Sequence, residues 1–141
     1  MDLGKLATQD NANGGVWTQV ELYEEKQDLD LCLYGDDSDV VKTYLREQLR
    51  NRATAKKNKN GGLSEEAINE LIESENDLVV IKVKDFRCHS KHDEEITLDG
   101  TAVTHDEDGV RKLIKAIPEI KDFITKFCKE RENFLPKGKK N

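Results

Sequence analysis

The chain has 141 residues, 37% of them charged and 35% hydrophobic, with 29 acidic against 23 basic side chains and a formal net charge of −6. That length suits one domain able to bury a core without disulfide or metal staples, and the acidic balance argues against nucleic acid as the main partner. No apolar run reaches the ~20 residues that span a bilayer, the start MDLGKLATQDNANGG lacks the basic-then-apolar order of a signal peptide, and Cys32, Cys88 and Cys128 show no paired spacing, which suits a reducing, cytosolic setting.

Residues 1–15 are polar and close on Asn11-Ala12-Asn13-Gly14-Gly15, the composition of a flexible N-terminal arm. From Val16 the pattern alternates. Val16, Thr18, Val20 and Leu22 interleave with Trp17, Gln19, Glu21 and Tyr23, and Leu29, Leu31 and Leu33 with Asp30, Cys32 and Tyr34. Period two over two short runs predicts an antiparallel hairpin joined by a polar loop over 24–28. A lone hairpin is marginal in water, so helices must cover one face of it. Trp17, the only tryptophan, is expected in the core, the alternative being an anchor for a partner.

Gly35-Asp36-Asp37-Ser38 ends the hairpin and caps a helix. Its buried face is expected to carry Val41, Tyr44, Leu45, Gln48 and Leu49. Arg50, Arg52, Lys56, Lys57 and Lys59 make its far end basic. In an acidic chain this fits cations favoured at a helix C-terminus, on a solvated surface, better than a nucleic-acid contact. Residues 58–62, Asn-Lys-Asn-Gly-Gly, read as a loop. Ser64-Glu65-Glu66 opens the next helix, with Ala67, Ile68, Leu71, Ile72, Leu78, Val79, Val83 and Phe86 along one stripe. Residues 78–83 are β-branched enough for a strand; helix is the expected state because only Asn76-Asp77 interrupts the run.

The stretch Arg87-Cys88-His89-Ser90-Lys91-His92-Asp93-Glu94-Glu95 is the one with metal-ligand chemistry. Cys88, His89 and His92, with Asp93 or Glu94, could begin a zinc site, but no second ligand pair follows at a separate spacing, and a polar loop is the expected state. His89, His92 and His105 have no nucleophile motif beside them. Residues 96–103, Ile-Thr-Leu-Asp-Gly-Thr-Ala-Val, predict a tight Asp-Gly turn. There is no GxSxG, P-loop, GxGxxG or HExxH pattern, so neither a catalytic centre nor a cofactor is expected.

The last third organises the chain. Thr104 and Glu107 stand at the spacing of a capping box, and Asp106, Glu107 and Asp108 load the first turn with the charge that a helix dipole favours there. Val110, Leu113, Ile114 and Ile117 follow at helical spacing. Pro118 ends that helix and suits the first turn of another, which carries Ile120, Phe123, Ile124, Phe127 and Cys128 on one face and Phe134 and Leu135 near its end. Burying each large side chain is worth roughly 1.5–3 kcal/mol, so the stripe shared by the two helices must be covered by the rest of the protein or by a partner. The expected fold is α+β and mostly helical: an N-terminal antiparallel β-hairpin packed on about four helices, with residues 1–15 a flexible arm, 16–135 a single domain and 136–141 a basic flexible tail.

Taken in order, these signals carry a resemblance. The hairpin ending in Tyr34-Gly35-Asp36-Asp37-Ser38, the basic helix from Leu45 to Lys57, the element Leu98-Asp99-Gly100, and the ending Ile117-Pro118-Glu119-Ile120, Phe123-Ile124 and Arg131-Glu132-Asn133-Phe134-Leu135 resemble the small tail assembly proteins of long-tailed bacteriophages, the tail assembly chaperone group of siphoviruses. The similarity covers the chain from about Val20 to Leu135. It departs at 87–95, where the charged Cys-His loop stands in place of the tryptophan or other aromatic that precedes the Asp-Gly turn in the group.

The resemblance implies a non-catalytic role in the cytoplasm of a bacterial host. Such a protein binds the long, helical, apolar tape measure protein and keeps it soluble until the tail tube polymerises around it. The tail tube protein and a second copy of the chain are the other partners it allows; nucleic acid and membrane are not expected. Phe127, Phe134 and Leu135 are the candidate partner-binding residues, left uncovered on the C-terminal stripe, against the alternative that all three are core. Two other functions stand beside this one. One is a structural tail component, a completion or minor tail protein retained in the virion. The other is a small metal-binding protein using Cys88, His89 and His92.

Overall fold

The computed structural model describes residues 1–54 and 64–136, the side chains of 52–54 excepted. The expected loop at 58–62, the cations Arg52, Lys56, Lys57 and Lys59 and the tail 137–141 therefore lie outside the described side chains. The fold is α+β and mostly helical, built around an N-terminal antiparallel hairpin.

That hairpin pairs β1 (Val16–Leu22) with β2 (Glu25–Leu33). The loop expected over 24–28 is instead a two-residue turn at Tyr23 (φ 54°) and Glu24 (φ 65°). Positive φ at both positions gives a turn whose twist matches that of the strands, so polar residues after Glu24 go on pairing, Leu22 with Glu25 and Glu21 with Lys26. Val20, Leu29, Leu31 and Leu33 face inward and are buried, as the alternation requires. Trp17 is not core. At 38% exposed it lies on the outer face of the sheet, with the Arg87 guanidinium 3.9 Å above its ring.

A third strand, β3 (Val83–Arg87), extends the sheet in the order β1-β2-β3. Helix had been expected to run through Phe86; α3 (Glu65–Lys82) stops at Lys82. The free edge of β2 offers unpaired backbone groups, and pairing them outweighs the helical pattern. Phe86 comes opposite Leu31 and enters the core, while the Tyr34 amide donates to the Lys82 carbonyl at 2.9 Å. Residues 78–82 are thus helix and 83–87 strand.

One face of the sheet packs on α3, α4 (Glu107–Ala116) and α5 (Pro118–Lys129). Val110, Leu113 and Ile114 of α4 and Ile120, Ile124 and Cys128 of α5 are buried, and the break at Pro118 falls where the sequence puts it. The cap of α4 differs from expectation. Asp106, not Thr104, accepts the Gly109 amide at 3.0 Å, and the Thr104 hydroxyl donates to the Asp106 carboxylate at 2.7 Å. The helix starts at Glu107, so Thr104 stands too early to serve as cap itself. Before it, β4 (Thr97–Leu98) and β5 (Thr101–Ala102) form the small Asp-Gly hairpin, with Asp99 at φ 50° and Gly100 at φ 82°.

Residues 9–14, expected within a flexible arm, form α1 (Gln9–Gly14) and are docked. Ala12 is buried, its carbonyl accepts the Gly35 amide, and the Asn11 side chain donates to the carbonyls of Phe134 (3.1 Å) and Leu135 (2.8 Å). The side chain of Asn13 then accepts the Asp39 amide at 2.8 Å, at the start of α2 (Asp39–Thr54). Ser38 caps α2 as expected, accepting the Val41 amide at 3.3 Å. Lys82 at the foot of α3 is the one buried lysine among the described residues; its ammonium sits 3.0 Å from Asp36, off the direction a hydrogen bond would take. Among the described residues no helix is long and apolar enough to cross a membrane.

Candidate interaction surface

The sequence read α2 and α3 as amphipathic, and they are, but their apolar stripes are only half used. At the base Val41, Val79 and Val80 are buried; further out Leu45 (42% exposed), Leu49 (64%), Ile68 (43%), Leu71 (47%) and Ile72 (48%) face solvent. The main tertiary partner of α2 is α3. Among the described residues, the two helices therefore leave the body together as an arm whose outer half has no third element against it. Leu45, Leu49, Leu71 and Leu78 line one groove between them, with Glu75 at its edge. Exposed apolar area of this extent is uncommon on a monomer and marks contact surfaces.

The other side of α3 is fastened down. Arg111 of α4 lies 2.6 Å from Asp77 and 3.4 Å from Glu73, and Lys115 lies 3.2 Å from Glu73. The bond to Asp77 raises the Arg111 pKa further above its ordinary value. Glu75, at the edge of the groove, is reached by Lys121 of α5 at 3.4 Å. These exposed pairs are individually weak; together they set the direction in which the arm leaves the body. Lys42, Arg46 and Arg50 recur every fourth residue beside Leu45 and Leu49, while α3 carries acids and no base from Glu65 to Ile81. The groove is thus apolar along its floor, with bases beside it on α2 and the acid Glu75 at its α3 edge.

The residues singled out from the C-terminal stripe fare differently. Phe134 is 2% exposed and packs edge-on against Phe127, with centroids 5.6 Å apart and planes at 73°. It is core and offers no surface. Phe127 is half-buried and stacks on Phe123, and both line a shallow hollow with Leu22 and Tyr23. Leu135 is half-buried under the Asn11 side chain. Of the three, only Phe134 is closed off; the exposed apolar side chains of α2 and α3 were not singled out from the sequence. The missed signal was at the end of α2, where Arg52 stands three residues past Leu49, so the apolar stripe stops after little more than two turns.

Cys88, His89 and His92 do not converge. The Cys88 thiol is buried and donates to Asp28 at 3.2 Å; the His89 ring meets Asp30 at 2.7 Å, where Arg87 also binds at 3.2 Å. His92 sits apart, on a hollow shared with Glu94 and His105. The imidazole of His105 is taken up by Asp85 and by stacking on Phe86, centroids 4.6 Å apart. Among the described residues no group of three His, Cys, Asp or Glu side chains is placed to hold a metal ion. What the segment does instead is hold a turn together. The Asp28 carboxylate accepts the Ser90 hydroxyl (2.8 Å), the Ser90 amide (2.7 Å) and the Cys88 thiol, and these bonds, the hydroxyl's foremost, keep its carboxyl below the usual aspartate range.

Because the folded-state pKa of Asp28 is depressed, the clasp is complete above the usual aspartate range and weakens as pH falls through the lowered value. Asp28→Asn is expected to speed amide hydrogen exchange at Ser90 several-fold at neutral pH. The wild-type chain should show the same loosening only in acid, below about pH 3.9. Exchange at Ser90 that ignores both changes would remove the clasp.

The remaining thiols, Cys32 and Cys128, are buried. Burial pushes Cys128 up to about 12 and raises Cys32 as well, so neither is a thiolate at neutral pH. In comparisons with protein-family models, curated protein sequences and solved structures, nothing matches this chain.

Proposed function

We propose that the chain is a non-catalytic chaperone that covers an apolar helical segment of another protein, and that its client is the tape measure protein of a bacteriophage tail, held soluble in the cytoplasm of the bacterial host before the tail is built. The observation that carries the reading is the exposure of Leu45, Leu49, Ile68, Leu71 and Ile72 on α2 and α3, three of them lining the groove between the two helices. A helix with a long apolar stripe aggregates unless the stripe is covered, and a groove between two helices with an apolar floor is a surface that a third helix fits. The order of sequence signals shared with the tail assembly chaperone group supplies the identity of the client. The choice of residues differs from the one the C-terminal stripe suggested: the arm replaces Phe134, which the fold consumes.

Co-expression with the tape measure protein of the same genome tests it. The wild-type chain is expected to move most of an otherwise insoluble tape measure into the soluble fraction, and Leu49→Glu with Ile72→Glu to abolish that gain while the chain itself stays folded. A tape measure no more soluble with the chaperone than without it would end this reading. Recovery of the chain from purified virions at structural stoichiometry would replace it with that of a tail component.

A further inference from the structure

We propose that the helix received by the arm is acid-edged: its apolar stripe rests on the groove of Leu45, Leu49, Leu71 and Leu78, and a row of Asp or Glu along one border faces Lys42 and Arg46. This names the chemistry of the client segment and rests on the reading of the arm as the client-binding face. Lys42, Arg46 and Arg50 are spaced i, i+4 and i+8, which gathers them on one line of α2. With Val41 turned into the body and Leu45 and Leu49 on the groove, a rotation of about 100° per residue puts that line on the groove's outer border, away from α3.

The opposite border carries no base. Helix α3 places Glu75 at that edge, within 3.4 Å of Lys121 of α5, and has no Lys or Arg from Glu65 to Ile81. A helix with acids on both flanks would gain on α2 and be repelled on α3. One with bases on both flanks would meet the reverse. The client's acids therefore lie on the α2 side and its other flank is neutral or basic, which fixes its rotation about its own axis as well as its composition. The chain is acidic overall, yet bases are gathered beside the exposed Leu45 and Leu49. That local inversion of sign supplies the complementarity.

Binding of two synthetic helical peptides of about 18 residues to the full chain tests this. Both carry the same Leu/Ile stripe; one is bordered on one side by Glu, the other by Lys. Two exposed ion pairs predict that the Glu-bordered peptide binds about tenfold more tightly at low salt, with the difference closing as salt is added. The Lys42→Glu/Arg46→Glu double variant is expected to invert the preference, and Leu49→Glu to remove binding of both; circular dichroism and urea midpoints verify that these surface variants fold. Equal affinity for the two peptides, preference for the Lys border, or indifference to Leu49→Glu overturns the proposal. So does failure of both peptides to bind, and the co-expression assay then reports separately whether client-holding stands. A dimer of the free chain in sedimentation equilibrium, lost in Leu49→Glu, would assign the face to a second copy and overturn it too.

Discussion

Gly109→Ala is expected to destabilise the protein by more than about 3 kcal/mol, among the largest effects of any small substitution in the chain. Helix propensity points the other way, since alanine within a helix gains about 1 kcal/mol over glycine. Packing decides. A Cβ at Gly109 would lie 1.7 Å from the Thr104 carbonyl oxygen and 3.0 Å from the Val103 side chain. The obstacle is backbone, so no rotamer change relieves it, and the segment entering α4 must move. That segment carries the Asp106 cap, which alone is worth about 1 kcal/mol. It also carries His105, stacked on Phe86 at the sheet edge. Urea unfolding measures the result. A midpoint equal to or above wild type would mean that the entry to α4 shifts freely.

Gly109 also illustrates what the sequence made legible and what it did not. The C-terminal pair of helices could be read because Val110, Leu113, Ile114, Ile120, Ile124 and Cys128 are all buried at helical spacing and Pro118 marks the boundary between the helices. The inward leucines of β2 were legible for the same reason. Where a pattern is right but its partner is missing, periodicity misleads. Leu45, Leu49, Ile68, Leu71 and Ile72 have the spacing of a core face, and nothing local reveals that the other described elements leave them exposed. Strand β3 was hidden because Val83 and Phe86 fit a helical stripe as well as a strand, and the unpaired edge of β2 that draws them in is some fifty residues away in sequence. The docking of α1 was hidden because it depends on Asn11 meeting the carbonyls of Phe134 and Leu135 at the far end of the chain. In the candidate metal segment the residue types were read correctly. Their partners, Asp28 and Asp30, come from the neighbouring strand and give the loop a structural task.

Phe134→Ala is expected to cost about 3–5 kcal/mol, the range for removing a fully buried aromatic ring, whereas Leu49→Glu on the arm should change stability by no more than about 0.5 kcal/mol. The difference follows from position. Phe134 is sealed against Phe127 and stands beside Gly35 and Ala12, where a Cβ on the glycine would already approach the Phe134 ring to 3.4 Å. Emptying that site leaves a cavity at the junction of both chain ends, and the carbonyls that Asn11 grips lose their support. Urea unfolding of the variant should therefore show a lowered midpoint, and hydrogen exchange should show α1 released before the sheet. A loss under about 1 kcal/mol with α1 still protected would place Phe134 outside the core after all. The same contrast decides how binding experiments are to be read. Client release by a Phe134 variant would follow from unfolding and say nothing about the interface, so Leu49 and Ile72, both exposed on the arm, are the positions where loss of client and loss of fold come apart.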